Sequence, residues 1–580
     1  MRRSLLLLAA LTLASLLTFW PTLRAGFITD DFPIVQQNPL LQQGELGEIF
    51  RTGWWEAVGG VGASLYRPVA VASWLPERGS DGRVRPERAH LDNVLLHALT
   101  SFLLASLLRR WGVSFGAASG AALLFAVHPA HVSAVGGLVG RAEILSTLFT
   151  LLALLLAAGS GPWPGRASPS DGRARLSAWG AGLSTFLALG SKEGAVALPA
   201  LLVLQEVLFR RRQLRPLVPR LAALAPSLLA VVCYAVLRLL ALGDAPGGPP
   251  APVSDNPIAA RSGASRMATA LSLVPRYTAL LLWPRHLSVD HSGHVIGTES
   301  SLLGLLPLLG MILLGALALL LLASLLGRAG AAAGMAAALT LLPYLVVGNL
   351  LRLVGVAYAE RLAYLPSAGV LALAAVGGQA LLGRRPAARP AQAATAGILF
   401  LLALVAGRVE AGHWRSHEAV FEHAVRSTPD SPRAQFTLAM IRLEQDRLDD
   451  AMAGFERTIA LWPTFASAWY ERGVVHARRG AFPEAVSDFA EAARLAPGDP
   501  TAAADLGIAL HRAGRNDDAE RQLRRTLRRF GPTPNVTGEL GELLLSQGRL
   551  PEARDLLAQA VAQGRRDLAS ALAAAGGPPP

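Results

Sequence analysis

The sequence predicts an all-α fold in two parts: a polytopic membrane helix bundle followed by a solenoid of helical repeats. Three observations carry this. The chain has 580 residues, of which 52% are hydrophobic and only 16% charged, too apolar for an ordinary soluble protein and too long for one domain. Apolar runs of about 18–22 residues, the length that crosses a bilayer core, recur from Met1 to about Arg408. From about Glu410 onward charge is frequent and apolar residues return at helical spacing. The expected organisation is a membrane domain over 1–411, repeats over 412–567 and a disordered tail over 568–580. Much of the formal charge of +13 is Arg beside the apolar runs, which the positive-inside rule explains better than nucleic-acid binding. Cys233 is the sole cysteine, which excludes a disulfide framework and a Cys-based metal site. The bias to Ala, Arg, Gly and Leu with few Lys points to a bacterial source of high GC content.

In chain order, Arg2 and Arg3 precede an apolar stretch at 4–20, read as an uncleaved first span or a signal peptide with its charged end inside. Residues 21–89 then form a long external loop holding Asp30-Asp31, Trp54-Trp55 and Tyr66-Arg67-Pro68. Stretches 45–57 and 68–77 are short and amphipathic, suited to the membrane interface. Further spans are expected at 91–108, 116–135, 142–158, 176–190, 195–209, 221–242, 302–326, 332–350, 362–382 and 393–409. The segment 266–284 is interrupted by Arg266, Pro275, Arg276 and Pro284. A central Arg costs about 2.5–3.5 kcal/mol on insertion, so this segment is expected to lie in the interface within an external loop at 243–300. Eleven spans follow. They put the C-terminal repeats on the same outer face of the cytoplasmic membrane as Asp30-Asp31.

Ten charged residues collect at that face: Asp30, Asp31, Arg141, Glu143, Lys192, Glu193, Arg238, Asp290, Glu360 and Arg361. The plain reading is a structural network of ion pairs, with Thr29-Asp30-Asp31-Phe32-Pro33 as a helix stop and turn. The functional reading is a mixed pocket at the membrane boundary that fits a lipid-phosphate sugar donor. Cations there neutralise the phosphate as it leaves, and a carboxylate takes the proton of an acceptor hydroxyl. Asp30 or Asp31 is then the base. Lys192, Arg238, Arg361 and Arg141 are candidates for the donor phosphate. Glu143, Glu193, Glu360, His128, His131 and Asp290 shape the pocket. His128 and His131, with Pro129 between them, read as polar contacts rather than metal ligands. No metal and no cofactor are expected beyond the lipid-linked donor itself. A non-catalytic membrane scaffold displaying a repeat array is the alternative. A transporter fits less well, because its ionisable groups belong at mid-membrane rather than at one face.

After the membrane part, Ala451, Phe455 and Pro463 recur as Ala485, Phe489 and Pro497, 34 residues on. Ala519 and Ala553 continue the series, and Gly473, Gly507 and Gly541 hold one position. This is the period of tetratricopeptide repeats, four of them from about 432 to 567, preceded by a half repeat with Phe421, Ala424 and Pro429. Such arrays bind peptides or protein surfaces on a concave face.

Taken with these repeats, an ordered set of short motifs resembles the transmembrane and tetratricopeptide repeat-containing O-mannosyltransferases, multi-span glycosyltransferases of the GT-C class. The set runs through Asp30-Asp31 to Asn38-Pro39, Tyr66-Arg67-Pro68, His90-Leu91-Asp92-Asn93 and His97. It continues in His128-Pro129-Ala130-His131, Gly140-Arg141-Ala142-Glu143, Ser191-Lys192-Glu193, Asp255-Asn256-Pro257, Ser288-Val289-Asp290 and Ala359-Glu360-Arg361 through Pro366-Ser367. The resemblance implies transfer of mannose from a polyprenyl-phosphate donor to Ser or Thr of exported proteins. It also implies a base in the first external loop, and repeats on the side of the active site that hold acceptor proteins.

Overall fold

The computed structural model describes residues 2–59, 65–159, 171–210, 223–243, 256–291, 295–384 and 389–576. The motif residue Asp255 lies outside these, as do Arg166, Arg211, Arg212, Arg220 and Arg385 among the arginines that flank the expected spans. By internal contacts the chain divides into two compact units, Met1–Thr428 and Pro429–Pro580.

In the first unit the longer helices are α1 (Arg2–Phe19), α2 (Pro86–Arg110), α3 (Phe115–Val127), α4 (Arg141–Ala157), α5 (Asp171–Ser191), α6 (Leu198–Arg210), α7 (Ala225–Leu242), α8 (Gly263–Leu282), α9 (Leu305–Leu325), α10 (Ala331–Val347), α11 (Tyr364–Arg384), α12 (Arg389–His413) and α13 (His417–Ser427). Of the eleven expected spans, 116–135 runs past α3 across a bend, the first residues of 221–242 lie outside the described residues, and α5, α6 and α10, which carry 176–190, 195–209 and 332–350, are not among the helices long and apolar enough to cross a membrane; the other expected spans fall on single helices. Among the described residues, seven helical segments are long and apolar enough to cross a membrane, or up to eight when a bent pair counts as one. That pair is α3 with Pro129–Val135, bent by 55°. The cause is local. Pro129 has no N–H to continue the helix, and the residue before a proline is driven to extended backbone. His128 accordingly sits at φ −67°, ψ 127°, and its ring accepts the free N–H of Ala130. Residues 263–282 form one continuous helix of 20 residues despite Pro275, packed against α9. Although long enough, it is not among the helices apolar enough to cross a membrane.

The loop between α1 and α2 builds a small core of its own from short helical turns. Ile34, Val35, Leu41, Ile49, Trp54, Val71 and Trp74 pack together on Leu138 and Ala142 at the start of α4. Trp54 and Trp74 are buried side by side, 6.0 Å between ring centroids. The apolar faces of 45–57 and 68–77 therefore contribute to this core, not only to a membrane interface.

The second unit is an array of antiparallel helix pairs: α14 (Pro432–Glu444), α15 (Leu448–Leu461), α16 (Ala466–Arg478), α17 (Phe482–Leu495), α18 (Pro500–Arg512), α19 (Asn516–Phe530), α20 (Pro534–Ser546) and α21 (Leu550–Ala562). The 34-residue period has a steric reason. Ala451, Ala485, Ala519 and Ala553 are all fully buried. A Cβ on Gly473, Gly507 or Gly541 would meet the side chain of Phe489, Leu523 or Leu557 at 2.9, 2.6 or 2.8 Å. Small residues at one position let the large ones of the next helix close in.

Candidate active site

The turn after α1 is held under tension. Thr29 has φ 52°, a left-handed conformation that a β-branched residue rarely adopts. Its N–H donates to Nδ1 of His417 at 3.2 Å, and the His417 ring stands edge-on to Phe32 with centroids 5.1 Å apart. A π-helical turn over Phe32–Gln36 follows. Strained backbone and π turns of this kind cluster at functional sites.

Within this turn the two acids differ. Asp31 is fully buried. Its carboxylate accepts the backbone N–H groups of Ile28 at 3.0 Å, Leu138 at 3.2 Å and Val139 at 2.9 Å. Burial pushes its pKa up to about 7, and the three N–H donors pull the other way. Asp31 thereby bolts the loop to the turn that starts α4. Asp30 is half-buried, and among the described residues no hydrogen bond or ion pair engages its carboxylate.

Further along α4 a small cleft is lined by Glu143, Ser146 and Thr147, with Lys192, Val347 and Arg361 among others. The Lys192 ammonium donates to Glu143, and Arg361 Nε lies 3.7 Å from the same carboxylate oxygen. Burial lowers the Lys192 pKa to about 8, with Glu143 acting against the shift and the positive charges of Arg67 and Arg361 adding to it. Next to it, Glu193 accepts from Arg67 Nε at 2.9 Å and from the Tyr66 N–H at 3.2 Å. Burial disfavours the Glu193 charge, but Arg67 outweighs it and holds this carboxyl below its usual range. The half-buried Arg238 lies one turn along α7 from Tyr234, whose hydroxyl donates to the Tyr66 carbonyl at 3.2 Å. The structure thus brings together Glu143, Lys192, Glu193 and Arg361, with Arg238 at their margin.

Arg67 joins this group without having been singled out from the sequence. Its only signal was its place in Tyr66-Arg67-Pro68. Three cations then face two carboxylates, an excess of positive charge that suits an anion.

The remaining candidates go elsewhere. Arg141 is 1% exposed. Its guanidinium donates to Glu77 and Asn93 and to the carbonyls of Ser73 and Ala89, and it lies over the Trp74 ring at 5.7 Å. Arg141 is the hub of the loop core, not a lining residue of the cleft. Its partner Glu77 is pushed up to about 7 by burial against the pull of Arg141. His128 contacts the Leu281 carbonyl at 2.9 Å. His131 contacts the Phe125 carbonyl at 2.8 Å and the Ser367 hydroxyl at 2.9 Å, so both rings are satisfied inside the helix packing. Glu360 is buried. It accepts the Ser288 N–H at 2.6 Å and lies 3.3 Å from His291 Nε2. The adjacent Asp290 is also buried, its carbonyl accepting from Ser288 and Thr428.

Comparison with known proteins agrees with both parts of the chain. A family model described as tetratricopeptide repeat matches residues 402–464, 453–500 and 504–575. Protein O-mannosyl-transferase TMTC3 of Homo sapiens is 29% identical over 388 residues, covering 62% of this chain and 41% of that protein. Protein O-mannosyl-transferase TMTC4 of Mus musculus is 27% identical over 486 residues, covering 73% of this chain and 62% of that protein. The chain thus spans roughly two fifths to three fifths of the length of these curated relatives. A solved structure, YrrB, "a TPR protein with an unusual peptide-binding site", is similar at 22% identity, covering 27% of this chain and 80% of that one, with a TM-score of 0.25. The chain is a multi-pass membrane protein with C-terminal tetratricopeptide repeats, and its homologues are the TMTC protein O-mannosyl-transferases.

Proposed function

We propose that the chain is a membrane glycosyltransferase that moves a sugar, mannose in the first instance, from a polyprenyl-phosphate donor to hydroxyl groups of exported proteins. The observation that carries this is the division of labour between neighbouring acids: Asp31 is locked into the loop while Asp30 is left unengaged beside it. Asp30 is the general base in this reading. It takes the proton of a Ser or Thr hydroxyl as that oxygen forms a bond to the sugar's anomeric carbon. The bond from that carbon to the phosphate oxygen breaks, and the polyprenyl phosphate leaves with the electron pair. Lys192, Arg361 and Arg67, with Arg238 at the margin, stabilise the charge gathering on the departing phosphate. Glu143 and Glu193 hold those cations in place until the donor arrives. The polyprenyl tail stays in the bilayer, the reaction occurs at the outer face, and the repeats on that face hold the acceptor protein.

The test is glycan transfer to exported proteins in membranes of cells lacking the native protein, supplied with wild type or Asp30→Asn at matched expression. A positioned base contributes about 10²–10⁴ in rate, so Asp30→Asn is expected to lose the glycan by mass spectrometry. Retention of wild-type transfer by Asp30→Asn would remove Asp30 from the chemistry.

A further inference from the structure

Away from the cleft, the last turn of α12 and the middle of α13 bring together three side chains of metal-ligand type. The ligand atoms of Glu410, His413 and His423 all lie within 4.8 Å of one another. Glu410 is buried, and its Oε2 is 3.4 Å from His423 Nε2. The rings of His413 and His423 stack face to face, 3.8 Å between centroids and 5° between planes. We propose that Glu410, His413 and His423 form a binding site for a divalent transition-metal ion of the zinc class.

The donor set argues for it. Two imidazoles and one carboxylate are three protein ligands of the kind zinc takes, with a fourth position left for water. Glu410 and His413 are three apart on one helix, which puts both on the same face. His423 comes from the next helix, across the three residues that join α12 to α13. Bonds of about 2.0–2.1 Å in a tetrahedral site place donor atoms roughly 3.3 Å apart. Rotation of the two half-buried rings supplies the closure from the present spacing. The surrounding charge has both signs. Arg415 and Arg426 act on His413 and oppose a cation. Glu410 favours one, and the buried Glu360 is near enough to feel the Glu410 charge.

Such an ion would pin α13 to the end of the last apolar helix. The same α13 carries His417, which accepts the Thr29 N–H next to Asp30. The site would thus brace the strained turn from behind, although metal binding itself does not depend on the transferase reading.

The experiment uses the full chain purified through a tag without histidines, stripped with chelator, then titrated with Zn²⁺ against a chromophoric zinc indicator. Bound metal is counted by plasma mass spectrometry. The expected result is one tightly held equivalent, weakened at least about tenfold in Glu410→Gln and in His423→Ala. Less than stoichiometric zinc on wild type overturns the proposal. So does undiminished binding by both variants. The wild-type stoichiometry decides the matter even where a variant fails to fold.

Discussion

Replacing Asp31 by Ala removes the acceptor for three backbone N–H groups at once, those of Ile28, Leu138 and Val139. A buried donor left without a partner costs about 1–3 kcal/mol. The Ile28 and Leu138 bonds are buried, while the Val139 bond is partly so and water can replace it. The expected loss is therefore about 3–5 kcal/mol of local stability, which is about 10²–10⁴ in the opening equilibrium. The measurement belongs near pH 4. Burial holds the folded carboxyl at about 7 against 3.8 unfolded, so its stabilising contribution is full below 3.8 and is lost as pH rises to about 7. Near pH 4 the charge penalty is still small, whereas by pH 6 the unfolded carboxyl has ionised and the penalty is already about 3 kcal/mol. Hydrogen–deuterium exchange of the detergent-solubilised chain reads the three amides directly. Asp31→Ala should speed exchange at Ile28, Leu138 and Val139 by at least a hundredfold, while Asp30→Asn leaves them unchanged. Unaltered protection at Leu138 and Val139 in Asp31→Ala would refute the lock, and with it the argument that only Asp30 is available as a base.

A Cβ on Gly140 would strike the Ala134 carbonyl oxygen; Gly140→Ala should cost about 1–3 kcal/mol and loosen the same amides, as seen in thermal unfolding and exchange. Lys192 loses its charge near pH 8 rather than at 10.5, so donor KM should rise as pH passes about 8, and Lys192→Arg should flatten that rise in a pH series. In the repeats, Arg472 makes a two-pronged contact of 2.8 and 2.7 Å with the buried Asp488. Among the described residues, Arg472→Ala leaves that carboxylate with the distant His476 at 3.7 Å as its remaining charged partner, and it should lower repeat stability by about 2–4 kcal/mol in denaturant unfolding followed by circular dichroism.

What could be read from the sequence was whatever repeats or depends on near neighbours. The 34-residue array shows in composition because each small residue, such as Gly473, answers a large one sixteen positions later, here Phe489. The apolar helices show for a similar reason: length and composition suffice. The site was visible as a set of charges but not as an arrangement. Arg141 and Glu143 stand two apart in one motif, yet residues two apart on a helix point about 200° away from each other. One therefore turns to Glu77 and the other to Lys192. The difference between Asp30 and Asp31 was equally hidden, because it is made by amides 107 and 108 residues further along. The stretches 45–57 and 68–77, which contain Trp54 and Trp74, read as suited to the membrane interface, since an amphipathic stretch does not say whether its apolar face meets lipid or its own loop.

The bolt at Asp31 also orders events during synthesis. The loop that carries the acids is made early, but the amides that fasten it, and Leu138 and Ala142 of its core, are encoded more than a hundred residues downstream. At roughly 5–20 residues per second, the ribosome needs on the order of 5–20 s to supply them. During that interval the loop has neither its lock nor a floor for its tryptophans. Chaperones and proteases meet it first as an unfolded segment, so damage to the start of α4 should appear as early degradation of the nascent chain before it appears as lost activity.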